Sequence, residues 1–377
     1  MVQRKDSTYI WQREEWPEFR WDSEMLLEPL SQLNHLHGLL YGRMSMLGFY
    51  EKNKSQLSSM TEELISSSSI EGITLNPHSV RSSIARRLGI ENDGILVEDH
   101  YVEGLVDVML DATRNCREPL TDERLFGWHA ALFPLGRSGM YKITVADWRK
   151  GNEPMQVVSG ALGHEKVHYE APASGNVPAE MTQLIAWCNS AEISSFMMAA
   201  VAHLWFVTVH PFDDGNGRIS RTLADMFLAR LDEDSARYYS MSAEINRNKK
   251  VYYEILERTQ KGNLDITEWL LWFFGCLEKA IARASCTIER TLQKVAYWDM
   301  FRNVGVNERQ HKVINRLWDD FEGKLTSSKW AKICGCSQDT ALRDIHDLIG
   351  KGMLCHSGEG GRSSNYLLPA DRELPAG

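Results

Sequence analysis

The sequence predicts a mainly α-helical protein in which one short β-hairpin interrupts the helices. From residue 78 to about residue 279, apolar residues recur at spacings of three and four, which is typical of helices with one buried face. The stretch from Trp148 to Pro178 breaks this period and contains two short strand-like runs, Gln156–Ser159 and Lys166–Tyr169, joined by a glycine-containing turn. After Asn307 the pattern predicts three helices and two short strands around a glycine-rich tip, the order of a winged-helix domain.

Residues 1–95 predict a helical arm that precedes the core. Trp11, Trp16 and Trp21 are each five residues apart, a spacing that does not form one helical stripe. Large aromatic side chains at such positions are typical of anchors, so we expect them to pack an irregular segment onto the body of the protein or onto a second copy of the chain. The second of these arrangements, together with the habit of the family named below, leads us to expect a homodimer.

Apolar periodicity and helix-stop signals give the remaining elements. Helices are predicted at Ser23–Leu47, Glu51–Ile70, Val97–Arg114, Thr121–Phe133, Val177–Ser190, Ser194–Val209, Arg218–Leu231, Lys249–Gly262, Ile266–Lys279, Glu278–Phe301, Glu308–Phe321, Ser327–Cys334 and Ser337–Gly350. Asn76-Pro77 is interpreted as a stop after the second helix. We therefore expect four parts: an arm (1–95), a core (96–279), a linking helix (280–306) and a winged-helix domain (307–377).

Composition and charge exclude some classes of protein. The net charge of -9 and the pI near 5.8 argue against a globally basic nucleic-acid binder. Seven scattered cysteines without a CxxC pair predict reduced thiols. The N-terminus has no apolar signal core, and the longest apolar stretch, Met197–Val209, is only about 13 residues long. These features predict a cytoplasmic protein with no membrane partner.

The stretch HPFDDGNGRISR, residues 210–221, brings together the groups of a phosphate-transfer site. Proline after His210 ends one helix and a new helix is predicted from about Gly217, so the loop between them leads into a helix N-terminus, where unpaired N–H groups bind anions. Gly215 and Gly217 let phosphate approach the backbone, and Asn216 adds an amide donor.

The charged residues of this stretch have complementary tasks in such a site. Arg218 and Arg221 lie three residues apart on one helix face and can grip neighbouring phosphate oxygens. Asp213 or Asp214 can hold Mg²⁺ between two phosphates, and His210 can take a proton near neutral pH. The residues alone therefore predict phosphate transfer to a hydroxyl that comes from elsewhere.

The same stretch resembles, at every position, the signature HPFx(D/E)GNGRxxR of the Fic family, enzymes that transfer AMP from ATP to protein hydroxyls. The resemblance covers about residues 67–279, and the arm around WPEFRWD resembles the N-terminal domain of a bacterial Fic subgroup with a C-terminal winged helix. It implies a Fic-domain helical bundle with an inserted β-hairpin flap, and an ATP- and Mg²⁺-dependent protein adenylyltransferase. Its partners would be target proteins bearing Tyr, Thr or Ser hydroxyls, including the chain itself.

The resemblance also implies roles for single residues. His210 resembles the general base, and Asp214 resembles the Mg²⁺ ligand, which leaves Asp213 in the variable position. The implied nucleotide-contacting positions are the anion hole Gly215, Asn216 and Gly217, the clamps Arg218 and Arg221, the flap residues Val157, Val158, Ser159 and Gly160, and the adenosine contacts Tyr252, Tyr253 and Gln260. The flap would cover the nucleotide and align the target by strand addition. For the two tyrosines, simple core packing remains the alternative.

A second motif lies upstream, in SSSSIEGI. Ser67, Glu71 and Gly72 fit the inhibitory motif (S/T)xxxE(G/N) of Fic proteins. If the Glu71 carboxylate pairs with Arg221, it occupies the cation that the γ-phosphate of ATP needs, and the triphosphate is misplaced for in-line attack. The resemblance therefore implies inhibition in cis. The same glutamate could instead position a water for the reverse reaction, removal of AMP.

Two other functions remain open on the sequence. The first is a DNA-binding regulator whose Fic-like part senses nucleotide; residues 307–369 hold nine Lys or Arg and eight Asp or Glu, and the third helix carries Asp339, Asp344 and Asp347, which repel phosphates. The second is a Fic enzyme that uses UTP or another phosphate-linked donor, because the loop contacts phosphates and not bases. Dimerisation or protein binding is the other expectation for the C-terminal domain.

Overall fold

The computed structural model describes residues 8–90, 99–159, 166–231, 236–319, 321–357 and 365–369. The chain divides into two compact units, Met1–Ser285 and Cys286–Gly377. Gly160 and the predicted tip between the last two strands lie outside the described residues. The mainly helical fold class is confirmed, since strands occur only as three two-stranded pairs in the described ranges.

The helices are numbered in chain order. They are α1 (Ser23–Ser45), α2 (Phe49–Ile70), α3 (Pro77–Leu88), α4 (His100–Arg114), α5 (Asp122–Leu132), α6 (Val177–Ser190), α7 (Ser195–Val209), α8 (Asn216–Ala229), α9 (Met241–Arg247), α10 (Lys249–Gln260), α11 (Thr267–Met300), α12 (Glu308–Trp318), α13 (Ser327–Cys334) and α14 (Gln338–Gly350). The strands are β1 (Arg137–Ser138), β2 (Tyr141–Lys142), β3 (Gln156–Ser159), β4 (Lys166–Glu170), β5 (Cys355–His356) and β6 (Tyr366–Leu367).

Helices α7 and α8 form the centre of the first unit. The segment SFMMAAVAHLWFVTV is apolar on all sides, and every residue of α7 after Ser195 is buried. A helix without a polar face is stable in water only when other elements surround it. Helix α8 packs along α7 and buries twelve of its fourteen residues. The loop between these two helices is therefore held by the best-packed part of the unit.

The tryptophans of the arm anchor it to its own chain. Trp11 Nε1 donates to Glu170 O at 2.9 Å, and Trp16 Nε1 donates to Glu180 Oε2 at 2.8 Å. The Trp16 ring also meets the Trp205 ring edge-on at 6.0 Å. These contacts correspond to the first of the two expected arrangements, in which the tryptophans pack the arm onto the body of the protein.

The largest differences between the predicted helices and the structure occur at three places. Asn76 does not stop a helix but starts α3: its side chain accepts from the backbone N–H groups of His78 and Ser79, with Pro77 in the first turn. Helix α9 was not predicted, because seven residues are too few for a periodic pattern. The two helices predicted at Ile266–Lys279 and Glu278–Phe301 are one helix, α11, because no proline interrupts residues 267–300.

The strands are short. β3 and β4 pair antiparallel, with Val157 opposite Tyr169 and Ser159 opposite Lys166, and the register shifts between Val157 and Val158. This is the predicted hairpin, which we call the flap. A second pair, β1–β2, was not predicted, and in it Arg137 lies opposite Lys142.

The second unit has the predicted element order of three helices and a strand pair. Its core includes Trp318, Trp330, Ile345 and Leu348, and β5 pairs with β6. Leu325 bridges to Tyr366 beside that pair. The name winged helix for this unit remains a prediction. No helix in the described part of the chain is long and apolar enough to cross a membrane.

Candidate active site

His210 lies where α7 ends, and its backbone is left-handed, with φ of 52°. Its ring Nδ1 is 3.2 Å from the carbonyl oxygen of Val207. Because a carbonyl can only accept, Nδ1 carries the proton and Nε2 carries the lone pair. Burial lowers the pKa of His210, an effect that the Val207 carbonyl partly opposes and Arg149 strengthens. The imidazole is thus a neutral base at neutral pH.

Arg149 fixes the backbone around His210, and sequence reasoning missed it. Its Nε donates to His210 O at 2.7 Å, its backbone N–H donates to Pro211 O at 2.9 Å, and its Nη2 donates to Pro172 O. The residue is only 4% exposed. Arg149 lies 61 positions before His210, so no local motif indicates the contact.

The Asp213–Gly217 loop is closed by Asn216. The Asn216 side chain accepts from the Phe212 N–H at 2.9 Å and donates to Phe212 O at 2.8 Å. We predicted its amide as a phosphate donor, but in the structure the amide is engaged by the loop itself, and only the backbone N–H remains at the start of α8 for an anion. Gly215 has φ of 84°, and a Cβ there would lie 2.8 Å from the Phe133 ring, so the position requires glycine.

Asp214 is oriented from two sides. Ser138 Oγ donates to Asp214 Oδ2, and His129 Nε2 donates to Asp214 O at 3.1 Å. The His129 ring is fully buried and stacks on Phe212 at 4.1 Å. Neither contact was predicted, since β1 and α5 are remote from the motif in sequence.

Asp214 fits the lone protein ligand of a nucleotide-bound Mg²⁺. Its side chain is 44% exposed, so one carboxylate oxygen can reach a metal ion while Ser138 steadies the group. Mg²⁺ commonly takes one or two carboxylates, and substrate phosphates and waters complete its shell. In the described ranges no group of three or more His, Cys, Asp or Glu residues that could hold a metal ion is found.

Both predicted clamps are buried cations with unused donors. Arg218 Nη1 donates to the Tyr101 hydroxyl at 2.6 Å, and its guanidinium lies over the Phe133 ring at 4.8 Å. Arg218 Nε and Arg221 Nη1 are buried and have no hydrogen-bond acceptor among the described residues. A buried N–H without an acceptor is costly, so both groups are suited to an incoming anion.

Glu71 pairs with Arg221, which is the contact that the inhibitory interpretation of the second motif requires. Arg221 Nη2 donates to Glu71 Oε1 at 2.8 Å and to Ser67 O at 2.9 Å, and Arg221 Nε donates to Ser67 Oγ at 2.9 Å. Burial alone would lower the pKa of Arg221, but the Glu71 carboxylate raises it above the ordinary value. Gly72 has φ of 78°, a conformation that glycine adopts readily after the last turn of α2.

The Glu71 carboxylate lies directly beside Gly217. A Cβ built on Gly217 would lie 2.2 Å from Glu71 Oε1. The carboxylate therefore fills the space directly over the first turn of α8, where the sequence predicts a phosphate. The chain thus supplies its own anion to the predicted anion hole.

The three predicted adenosine contacts differ in their surroundings. Tyr252 is buried, and its hydroxyl is 2.9 Å from His203 Nε2. Tyr253 is 40% exposed, and its hydroxyl donates to Ile70 O at 3.4 Å. Gln260 is buried, and its Nε2 donates to Val207 O at 3.4 Å, next to the end of α7.

The flap presents an exposed strand edge. All four residues of β3 are exposed, including Val157 and Val158. On the other strand, His168 links the flap to α10: its Nδ1 is 2.7 Å from Glu257 Oε2 and its Nε2 is 2.6 Å from Ser159 Oγ. Within the described residues β3 pairs only with β4, so its outer edge is available to a further strand.

Comparison with known families assigns the region that contains this geometry. Residues 119–228 match the model of the Fic/DOC family, and residues 9–90 match a domain of unknown function, DUF4172. Residues 119–228 are therefore similar to the Fic/DOC family. This matched region begins just before α5, which holds His129, and ends within α8, which holds both arginines.

Proteins named protein adenylyltransferase Fic are similar to parts of the chain. The one from Aedes aegypti is 27% identical over 235 residues, which are 60% of this chain and 42% of that protein. The one from Culex quinquefasciatus is 30% identical over 148 residues, which are 37% of this chain and 27% of that protein. The chain thus spans less than half the length of these relatives.

Two solved structures share the fold. A Fic family protein from Desulfovibrio desulfuricans G20 aligns with 92% of this chain and 96% of its own, with a TM-score of 0.53 and 17% identity. A Fic domain containing signaling protein from Bacteroides thetaiotaomicron VPI-5482 aligns with 68% of this chain and 95% of its own, with a TM-score of 0.50 and 19% identity. At these identities the likeness concerns the fold alone.

Proposed function

We propose that this chain transfers AMP from ATP to Tyr, Thr or Ser hydroxyls of proteins, including its own, and that Glu71 restrains this activity in cis. The observation that carries the proposal is the Glu71 carboxylate, which lies over Gly217 and 2.8 Å from Arg221 Nη2. An anion in this position is a stand-in for a phosphate group. The Fic domain and the adenylyltransferase names of the relatives support AMP as the group transferred.

His210 provides the base for the acceptor hydroxyl. With the proton on Nδ1 held by Val207, Nε2 can take the hydroxyl proton as the oxygen attacks the α-phosphorus. The bond from oxygen to the α-phosphorus forms, the bond from that phosphorus to pyrophosphate breaks, and pyrophosphate leaves. Arg149 keeps the His210 backbone in its left-handed conformation during this step.

The start of α8 neutralises the phosphates. Its first backbone N–H groups, with Arg218 and Arg221, offer positive charge at a position where a helix N-terminus already favours anions. Asp214 would hold Mg²⁺, which would offset the negative charge of the phosphates. Ser138 and His129 keep Asp214 in place for that task.

The exposed edge of β3 would align the target. An extended segment of a target protein can add to a free strand edge through backbone hydrogen bonds, whatever its side chains are. Val157, Val158 and Ser159 line that edge in the described part of the flap, while Gly160 lies outside it. Tyr252, Tyr253 and Gln260 are proposed to contact the adenosine.

Inhibition follows from competition for Arg221. While Glu71 holds Nη2, the γ-phosphate cannot take the same donor, and the triphosphate is turned away from the in-line geometry that transfer requires. Removing the carboxylate both frees the cation and opens the space over Gly217.

The test is labelling with ATP carrying a radioactive α-phosphate, in the presence of magnesium and cell lysate. The wild type, Glu71→Gly, and Glu71→Gly with His210→Ala are compared. We expect strong labelling of proteins only by Glu71→Gly, and background labelling by the double variant. Equal AMP incorporation by the wild type and Glu71→Gly would refute the inhibitory role, and no labelling by any variant would refute adenylyl transfer from ATP.

A further inference from the structure

A second group of buried charges joins α2 to α8 beside the inhibitory pair. Glu63 lies eight residues before Glu71 on α2, and Asp225 lies four residues after Arg221 on α8. Arg237, from the segment before α9, lies between them: its Nη1 is paired with Asp225, and its Nη2 is 3.9 Å from Glu63 Oε2. Glu63, Asp225 and Arg237 are all at most 7% exposed.

Glu63 is where α2 is fixed to the start of α9. Its Oε2 accepts from Ser240 Oγ at 2.8 Å and from the Ser242 N–H at 3.0 Å. One turn earlier on α2, Ser59 Oγ donates to Arg237 O at 2.7 Å. Hydrogen bonds to an ionised carboxylate are roughly twice as strong as neutral ones, so this contact fixes the helix at one point along its length.

This group contains more acidic than basic side chains. Two carboxylates surround one guanidinium, and Glu63 Oε1 is buried without a hydrogen-bond partner in the described part of the chain. Burial raises the pKa of Asp225 to about 7, against the effect of Arg237, and Glu63 adds to the rise. Buried ion groups of this kind contribute little net stability compared with apolar packing, but they can select one arrangement of the elements they join.

We propose that Glu63 is a positioning residue for inhibition: it fixes α2 against α8 and α9, so that Glu71 is held over Gly217 and within reach of Arg221. The reason is the rigidity of the helix between them, which spans about 12 Å from Glu63 to Glu71 at about 1.5 Å per residue. Glu71 itself makes one short contact with Arg221, at 2.8 Å, and a small shift of α2 is enough to lose it.

This inference rests on the proposed function, and its test is a double-variant cycle in the full chain. Auto-adenylylation with labelled ATP is measured for the wild type, Glu63→Gln, Glu71→Gly and the Glu63→Gln, Glu71→Gly pair. We expect Glu63→Gln to raise labelling on the order of tenfold in the wild-type background, the factor that corresponds to one charged hydrogen bond. In the Glu71→Gly background, where no inhibitory carboxylate remains, we expect it to change nothing.

The matched control is Glu62→Gln. Glu62 is the neighbouring residue on α2, its side chain is 49% exposed, and it pairs with Arg247 at 3.1 Å outside the buried group. Glu62→Gln removes the same charge from the same helix but leaves the buried group intact, so we expect it to leave labelling unchanged. A second variant, Arg237→Lys, keeps the charge but loses the paired guanidinium geometry, and should act in the same direction as Glu63→Gln.

Two results of the labelling measurements contradict the proposal. No rise in the wild-type background from either Glu63→Gln or Arg237→Lys would overturn it, as would an equal rise in the Glu71→Gly background. Hydrogen exchange gives a readout that does not depend on activity: Glu63→Gln should speed exchange of the amides at the end of α2, and Glu62→Gln should not. If Glu71→Gly transfers no AMP but this exchange difference is present, the proposed function fails and the positioning role of Glu63 stands; unchanged exchange would overturn that role by itself.

Discussion

The Glu71 carboxylate lies close against the backbone of Gly217. One residue lacks a side chain and the other places its carboxylate in the space that this leaves, 2.2 Å from where a Cβ would be. If that space also receives phosphate, it must stay open for activity even when Glu71 is removed. A methyl group added at residue 217 therefore distinguishes its role in phosphate binding from its contact with Glu71.

We predict that Gly217→Ala, introduced into the Glu71→Gly variant, lowers AMP transfer by at least about tenfold. The added Cβ would stand between the phosphate and the backbone N–H groups, and weakened contacts there cost transition-state stabilisation. Labelling with ATP measures the change. Gly275→Ala is the control, since a Cβ at that position of α11 would meet no atom within 4 Å. Full activity of the Gly217→Ala, Glu71→Gly variant would mean that phosphate lies elsewhere.

The pKa of His210 sets the pH dependence of activity. Burial lowers this pKa below the ordinary value of about 6.5, so the ring stays neutral as pH falls from 8 towards that value. We therefore expect kcat/KM of Glu71→Gly to stay level through neutral pH and to fall only at pH values below about 6.5, where protonation removes the base. A pH profile that already falls by half between pH 8 and pH 7 would contradict this assignment of the base.

Among the elements, the flap depends on a link to α10. His168 of β4 contacts Glu257 of α10 at 2.7 Å, and Lys261 contacts the other carboxylate oxygen of Glu257 at 2.6 Å. These two contacts lower the pKa of Glu257 to about 2. The depressed pKa means that any stabilisation from the charged carboxylate is present above its ordinary pKa of 4.5 and is lost as pH falls towards 2.

We predict that Glu257→Gln loosens the flap at neutral pH. The variant removes the charge that holds both His168 and Lys261, so amide hydrogen exchange in β3 and β4 should become several-fold faster, a change typical of losing one exposed charged contact. Glu254→Gln is the control, because Glu254 lies on the same helix, 61% exposed, and pairs only loosely with Lys250 at 3.7 Å. Exchange rates that match in the two variants would show that this link does not hold the flap.

The elements also show where sequence reasoning succeeds and where it stops. The long helices and the flap follow from apolar period and local turns, so α6 and α13 have the predicted bounds. Asn76-Pro77 was misinterpreted because such a pair is equally typical of a helix stop and of a helix start, and only the cap hydrogen bonds distinguish these. The motif from His210 to Arg221 gave the loop and both arginines because these groups are contiguous.

The residues that hold the candidate site in place could not be predicted from the sequence. The loop is held from segments 61 to 85 residues away by Arg149, His129 and Ser138. Each of these is, by itself, an ordinary residue of a loop, a helix or a short strand. The Glu63, Asp225 and Arg237 group has the same character, because its members lie on three elements and no spacing relates them. The side chain of Asn216 went against expectation for a related reason: its partner is the backbone of Phe212, which a motif does not describe.

At the scale of the whole molecule, the sequence gives the C-terminal unit a nearly neutral charge, with nine Lys or Arg and eight Asp or Glu in residues 307–369. In the structure Asp344 is 6% exposed, and Arg309 contacts it at 2.7 and 3.0 Å, so one acidic and one basic residue of that unit neutralise each other. The Arg309–Asp344 pair weakens the predicted repulsion between the acidic third helix and DNA phosphates. It also removes one positive charge that could have bound DNA. DNA binding and dimerisation both stay predictions.

The most direct measurement for the whole account is the equilibrium affinity of the full chain for ATP and for AMP, with and without Glu71. If the carboxylate occupies the place of a distal phosphate, Glu71→Gly should bind ATP at least about tenfold more tightly than the wild type does, while both bind AMP equally. We expect the gain in affinity for ATP but not for AMP because only the distal phosphates of ATP reach Arg221. Equal ATP affinities, or an equal gain for AMP, would contradict the claim that Glu71 and the nucleotide compete for one anion site.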